Sequence, residues 1–173
     1  RNAIHYENMS IALAESVANQ GQGFINAMAF GNGGTSVDPT GIITYLTPNS
    51  TGTNASLYNQ TYSKVVDDRS VTNLDPQRNK IETRHVNGTN YTDVLVTCLL
   101  DYGEPNGQDA VDQASQANSL YVFDELGLVS YSPSGTGKLL THVVFHPVQK
   151  SLNRLVQIDY TVRVQSLTGF NEG

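Results

Sequence analysis

The chain has 173 residues, long enough for one domain to bury a core without a metal or disulfide staple. Only 15 % of residues are charged, against about a quarter in an average soluble protein, so Asn, Ser, Thr, Gln and Gly must cover much of the surface. The net charge of −6 and a thin spread of Lys and Arg argue against a nucleic-acid partner, which needs a positive footprint. No apolar stretch approaches the ~20 residues of a membrane-spanning helix, and no charged-then-apolar leader follows Arg1, so no membrane partner is expected.

Met9, Leu13, Val17 and then Gln20 recur at helical spacing and predict a helix over residues 6–20, ended by Gly21 and Gly23. Residues 1–23 are read as an N-terminal helix and arm, and residues 24–173 as a single β domain. From Phe24 the period changes. Phe24, Met28 and Phe30 alternate with Ile25, Ala27 and Ala29, a strand apolar on both faces except at Asn26, which belongs inside a packed structure. It runs into Gly31, Asn32, Gly33, Gly34 and Thr35, a sharp turn in which at least one of the three glycines is expected at positive φ. Residues 42–46 form a plausible strand, and the polar tract 47–60 reads as a long exposed loop.

Further strands are predicted over 63–66, 80–86 and 91–100, the last two joined by a hairpin centred on Asn87-Gly88. A polar connection follows over 104–118, with a helical turn near 110–116. Strands then recur over 120–123, 126–131, 139–145 and 155–164. Short strands at this spacing predict a mainly β chain, an antiparallel β-sandwich or barrel-like domain with one N-terminal α-helix. Its core is expected to hold Leu95, Leu99, Val143, Phe145, Ile158 and Val162.

Candidate chemistry is sparse. Cys98 is the only cysteine, set in an apolar run, and reads as a buried inert thiol. The glycine loop lacks the Lys of a P-loop and the spacing of a dinucleotide fingerprint. His85, His142 and His146 could converge on zinc, and Asp101, Glu104, Asn106, Asp109 and Asp112 could offer oxygens to calcium. Neither set has a ligand-spacing signature, and both read as structural or solvated. Asp67 and Asp68 are adjacent, so on a strand they face opposite ways, and no nucleophile elbow occurs. Asn8, Asn49, Asn54, Asn59, Asn87 and Asn90 head Asn-x-Ser/Thr triplets, which matter only in a eukaryotic secretory context and of which this composition supplies several by chance. No catalytic residue, cofactor or metal is assigned, and the chain is expected not to be an enzyme.

Two segments carry a resemblance. The first runs Phe24-Ile25-Asn26-Ala27-Met28-Ala29-Phe30 into Gly31-Asn32-Gly33-Gly34-Thr35, with Asp38-Pro39 beyond. The second is Leu120-Tyr121-Val122-Phe123-Asp124-Glu125-Leu126-Gly127-Leu128-Val129, followed by Gly137-Lys138-Leu139-Leu140 and by Lys150 before a final strand. This order resembles the N-terminal attachment domains of tailed-bacteriophage tail-fibre proteins and related virion proteins. There a helix precedes a strand and Gly-rich turn, and a Glu-apolar-Gly-Leu strand and a Lys come later. Glu125, Leu126, Gly127 and Leu128 match that strand, and Lys150 matches the later Lys.

With no distal receptor-binding shaft after Gly173, the resemblance implies a short accessory virion protein: fibre-anchoring, collar, neck or baseplate, or capsid-decorating. Its partners would be other virion proteins and copies of itself. Met9, Leu13 and Val17 on the helix stripe, and Asn49, Asn54 and Tyr58 in the long loop, are the interface candidates. The alternative is a free-standing β-sandwich module that binds carbohydrate or a receptor. Nine tyrosines could supply stacking faces for it, while the lack of tryptophan counts against it.

Overall fold

The computed structural model describes residues 1–105, 120–135 and 137–167. In chain order the elements are β1 (Asn2–Ile4), α1 (Tyr6–Val17), β2 (Ile25–Gly31), β3 (Thr35–Val37), β4 (Ile43–Tyr45), β5 (Gln60–Val65), β6 (Lys80–His85), β7 (Tyr91–Leu100), β8 (Leu120–Ser130), β9 (Thr141–Ser151) and β10 (Val156–Gln165). The chain is mainly β, as expected, and all its strand pairs are antiparallel. One sheet has the order β1-β9-β8-β2-β5, a second β10-β7-β6, and β3 with β4 forms a small hairpin. Met28, Phe30, Tyr62, Phe123, Leu126 and Leu128 of the first sheet share one buried cluster with Val96, Cys98, Leu100 and Val162 of the second. The two sheets therefore face each other as a sandwich.

Strand β2, between β8 and β5 in the large sheet, has residues that suit burial on both faces. Phe30 enters the core, its ring 5.3 Å from that of Phe123 and 6.3 Å from that of Tyr62. Ala29, pointing the other way, packs beneath Leu57 and Leu139. The tract 47–60 is exposed at most of its side chains, as its polarity suggested, but it is not free of the sheet. It folds over the outer face of the large sheet and buries Pro48 and Leu57. The sheet beneath must stay thin, and Gly127 stands opposite Ala29 for that reason. A Cβ at Gly127 would strike the Thr141 carbonyl and come 2.7 Å from Leu139 Cδ1.

Several expected boundaries move for identifiable reasons. The helix ends at Val17 rather than residue 20, and Asn19 (φ 55°), Gly21 (φ 72°) and Gly23 (φ 93°) turn the chain away. The two strands expected over 120–131 are one, β8, with an irregularity between Phe123 and Glu125. Opposite it, β9 continues past His146-Pro147, where a strand end was expected. Phe123 pairs with Val148 and Glu125 with Val144, so residues 145–147 bulge against Asp124, and Pro147 sits where no ladder donor is required. The β6–β7 hairpin forms as predicted, with Gly88 at φ 89°. The helical turn expected near 110–116 lies outside the described residues.

The expected core is correct in part. Leu99 and Val162 are buried, and Val143, Phe145 and Ile158 are half-buried against the main cluster. On β7 the residues that belong to that cluster are Val94, Val96, Cys98 and Leu100, so Leu95 falls one residue out of phase and stays half-buried outside it. A similar offset occurs on α1. Asn8 and Ala12 are buried, whereas Leu13 is 42 % and Val17 86 % exposed, and Met9 only leans on the core. Asn8 turns inward because its amide donates to the Leu139 and Thr53 carbonyls, at 2.9 and 3.4 Å.

Residues 1–23 are also tied into the β domain. β1 pairs with β9 from Asn2–Val143 to Ile4–Thr141, and Ala12 joins the main core. Deleting residues 1–20 is therefore expected to lower the urea midpoint of unfolding rather than leave the sandwich untouched. In the same measurement Phe30→Ala should cost about 3–5 kcal/mol, and Phe145→Ala, at a half-buried site, less.

Candidate functional site

A dense set of buried polar groups lies under the loops that cover the large sheet. Consecutive residues of an even strand face opposite ways. The irregularity in β8 instead lets both Asp124 and Glu125 reach the 33–35 turn. Asp124 Oδ1 accepts from the Gly34 N–H (2.8 Å), and Oδ2 from the Thr35 N–H (3.0 Å) and hydroxyl (2.6 Å). Glu125 Oε2 accepts from the N–H groups of Gly33 (2.9 Å) and Asn59 (2.8 Å). Its Oε1 accepts from the Tyr58 N–H (2.8 Å) and meets His142 Nε2 at 2.8 Å. Both acids are buried.

Geometry fixes the charge of His142. Its Nδ1 lies 2.8 Å from the Asn49 N–H, which can only donate, so the ring proton is on Nε2 and points at Glu125. The pair is a neutral imidazole donating to a carboxylate, not an ion pair. Burial pushes the Glu125 carboxyl up, but the bond from His142 and those from Asn59, Tyr58 and Gly33 together hold it below the usual carboxylate range. His5 repeats the arrangement. Its Nδ1 accepts from the Asn8 N–H (3.1 Å) as the cap of α1, and Nε2 donates to the Gly52 carbonyl (2.7 Å).

This cluster is built to hold loops. Every oxygen of Glu125 is occupied, and Glu125 and His142 are both fully buried, so no lone pair remains for a substrate proton. The glycine turn is explained by the same contacts. None of Gly31, Gly33 and Gly34 has positive φ, contrary to expectation. Their constraint is crowding. A Cβ on Gly31 would strike the Asn59 carbonyl and approach Glu125 Oε2 to 2.7 Å, and one on Gly33 would lie 2.8 Å from Tyr58 Cβ. The two segments singled out in the sequence are direct neighbours, with Gly31 paired to Glu125, Phe30 to Leu126, Ala29 to Gly127 and Met28 to Leu128.

Lys150 is a second buried pin. Its ammonium donates to the carbonyls of Asp101 (3.0 Å), Glu104 (2.6 Å) and Ser151 (2.8 Å), and burial lowers its pKa against the pull of Glu104 and Asp101. Glu104 is paired with Lys64 and accepts from the Tyr62 hydroxyl at 3.0 Å, so its charge is already met. Asn106, Asp109 and Asp112 lie outside the described residues. The three histidines do not converge: His85 bonds within its own hairpin, and His146 meets the Tyr45 hydroxyl at 3.2 Å. Among the described residues no group of three or more His, Cys, Asp or Glu side chains could hold a metal. The Cys98 thiol is buried and pushed up to about 12, which keeps it from ionising.

Of the interface candidates, Leu13, Val17, Asn54 and Tyr58 are exposed, Met9 and Asn49 half-buried. Asn8, one of the glycosylation triplets, is fully buried. Sequence reasoning missed Asp124, His5 and Asn8. Two adjacent acids inside the apolar run of β8 were the available signal for the first.

Replacing Glu125 by Gln turns an acceptor into a group that directs an N–H₂ at other donors. Equilibrium unfolding at pH 7 is expected to show a loss of about 3–5 kcal/mol. Because the folded carboxyl titrates below its unfolded value of about 4.3, its contribution is full above that pH and is lost as pH falls through the lower, folded value. The variant should accordingly lose stability less steeply than the parent when unfolding is followed below pH 4.3 or so.

No protein-family model, curated protein or solved structure matches this chain.

Proposed function

We propose that this chain is a structural component of a tailed-phage virion, an accessory part that anchors a fibre, belongs to the collar or baseplate, or decorates the capsid. It acts through protein–protein contacts and not through catalysis. The observation that carries this reading is the division of labour between inside and surface. Four groups capable of acid–base chemistry, Glu125, Asp124, His142 and His5, are buried and committed to holding loops. The surface, by contrast, leaves large apolar side chains bare: Val17 on α1, and Val71 and Leu74 at 97 % and 95 % exposure.

Leu13, Phe24 and Val164, each about 40 % exposed, line a mainly apolar groove of about 550 Å³ beside α1. Such patches mark surfaces that are covered in an assembly. The charged part of the groove's lining is confined to Asp67, Asp68 and Arg69, so covering its apolar remainder costs little desolvation. The pairing of the Gly-rich turn with the Glu125–Leu128 strand gives the phage-like order of segments a physical reason: each needs the other to close.

The reading is tested in purified particles. Mass spectrometry should find the chain there in stoichiometric amount, and Leu13→Glu with Val17→Glu, both surface changes, should leave a folded protein that is incorporated at least about tenfold less. That factor corresponds to roughly 1.4 kcal/mol of interface energy. A chain missing from particles, or incorporated equally with both charges present, would overturn it.

One observation favours the second reading, a carbohydrate-binding module. A polar cleft of about 600 Å³ on the outer side of the large sheet is lined by Asn26, Asn54, Ser56, Gln60, Tyr131 and Lys138. Amides, hydroxyls and one aromatic ring are the groups that hold sugars. Retention on immobilised glycans, abolished by Asn54→Ala and Tyr131→Ala, would support it.

A further inference from the structure

The three-stranded sheet ends on β10, and among the described residues nothing pairs with that strand's second edge. β10 runs Val156–Gln165 in unbroken register with β7 and contains neither Pro nor Gly. The other edges carry features that discourage further pairing. β1 has three residues, β5 meets β2 across an irregularity at Phe30/Gly31, and β6 carries Lys80, Glu82 and Arg84 within six residues. A long, regular, open edge is a template for another strand.

The phase of that edge is fixed. The Ser166 N–H donates to the Asn90 carbonyl (2.9 Å), in line with the β7–β10 register. Even-numbered residues of β10 therefore direct their main-chain groups to β7, and Gln157, Asp159, Thr161, Arg163 and Gln165 direct theirs outward. The sequence is close to self-complementary about Thr161. Gln157 mirrors Gln165, Ile158 mirrors Val164, Tyr160 mirrors Val162, and Asp159 mirrors Arg163.

We propose that β10 pairs with β10 of a second copy of this chain, antiparallel about a two-fold axis through Thr161, joining the two three-stranded sheets into one. Asp159 of each copy then stands opposite Arg163 of the other, so charges of opposite sign meet on both sides of the axis. Arg163 is held at the strand surface for this by Asp93, whose oxygens take Nε and Nη2 at 2.8 and 3.2 Å, and by the Tyr91 ring 3.8 Å below the guanidinium. Val164, 41 % exposed in the single chain, comes opposite Ile158. A groove between β10 and β1, lined by Asn2, Ile4, Asp159, Thr161 and Arg163, leaves the approach open. The inference stands on β10 itself and does not rest on the virion reading, since the dimer forms in solution without any particle.

Sedimentation equilibrium of the full chain over a range of concentrations should show a species of twice the chain mass. Thr161→Cys puts two thiols on the axis, where paired Cα atoms lie about 5.5 Å apart, within disulfide reach. Mild oxidation should give a covalent dimer, and Gln157→Cys, whose mate is Gln165, should not. Cys98 is buried and adds no competing thiol. Asp159→Arg, a change at an exposed position, should weaken the dimer about tenfold by opposing like charges, with the circular dichroism spectrum unchanged. Should Thr161→Cys fail to fold, Asp159→Arg decides. A chain monomeric at every concentration, a dimer indifferent to Asp159→Arg, or a folded Thr161→Cys dimer that does not cross-link overturns the proposal. So does an edge filled by an extended strand of a different protein.

Discussion

A buried carboxylate that accepts four N–H groups organises this molecule. Glu125 takes its donors from the glycine turn, from the end of the long loop and from His142, which in turn receives the Asn49 amide. Taking a charge out of water is expensive, and only a full set of donors makes the site tolerable. The requirement acts in both directions. The loops need the carboxylate to satisfy amides that would otherwise be buried without partners, and the carboxylate needs the loops to supply them. Sandwich and covering loops therefore stabilise each other.

That mutual dependence accounts for features that seem unrelated in the sequence. Gly31 and Gly33 are small because the long loop lies directly on them, and Gly127 because the Thr141 carbonyl and Leu139 do, not because the backbone needs a left-handed turn. Leu57 is the apolar side chain of the long loop that plugs the outer face over Ala29. β2 can be apolar on both sides because one side meets the second sheet and the other meets this cover. The helix belongs to the same construction, since His5 and Asn8 fasten α1 to Gly52 and Thr53 of the loop and to Leu139.

Much of the fold was legible because its strands alternate or run apolar between turn residues, and the β6–β7 hairpin announced itself through Asn87-Gly88. Errors arose where polar groups, rather than apolar ones, face inward. Asn8 displaced Met9 from the core side of α1, and the β7 phase was misplaced by one because Leu95 and Leu99 look as apolar as Val94 and Val96. The fastening of the polar tract 47–60 is not legible because, Pro48 and Leu57 apart, its bonds to the sheet are made by main-chain atoms, which leave no compositional trace. Glu125 and Lys150 were singled out through resemblance. Nothing in spacing alone foretold that each would be buried with its charge fully met by the backbone and by one histidine.

The way the long loop is fastened has a consequence for how freely its sequence can change. The atoms held by polar contacts are the amides of Asn49, Tyr58 and Asn59 and the carbonyls of Gly52 and Thr53, so these bonds do not depend on the side chains there, whereas the packing depends on Pro48 and Leu57. Thr51 and Asn54 point to solvent beside these fixed points. Outward positions such as these two are where the tract is free to change while the clamp beneath goes on gripping the same backbone.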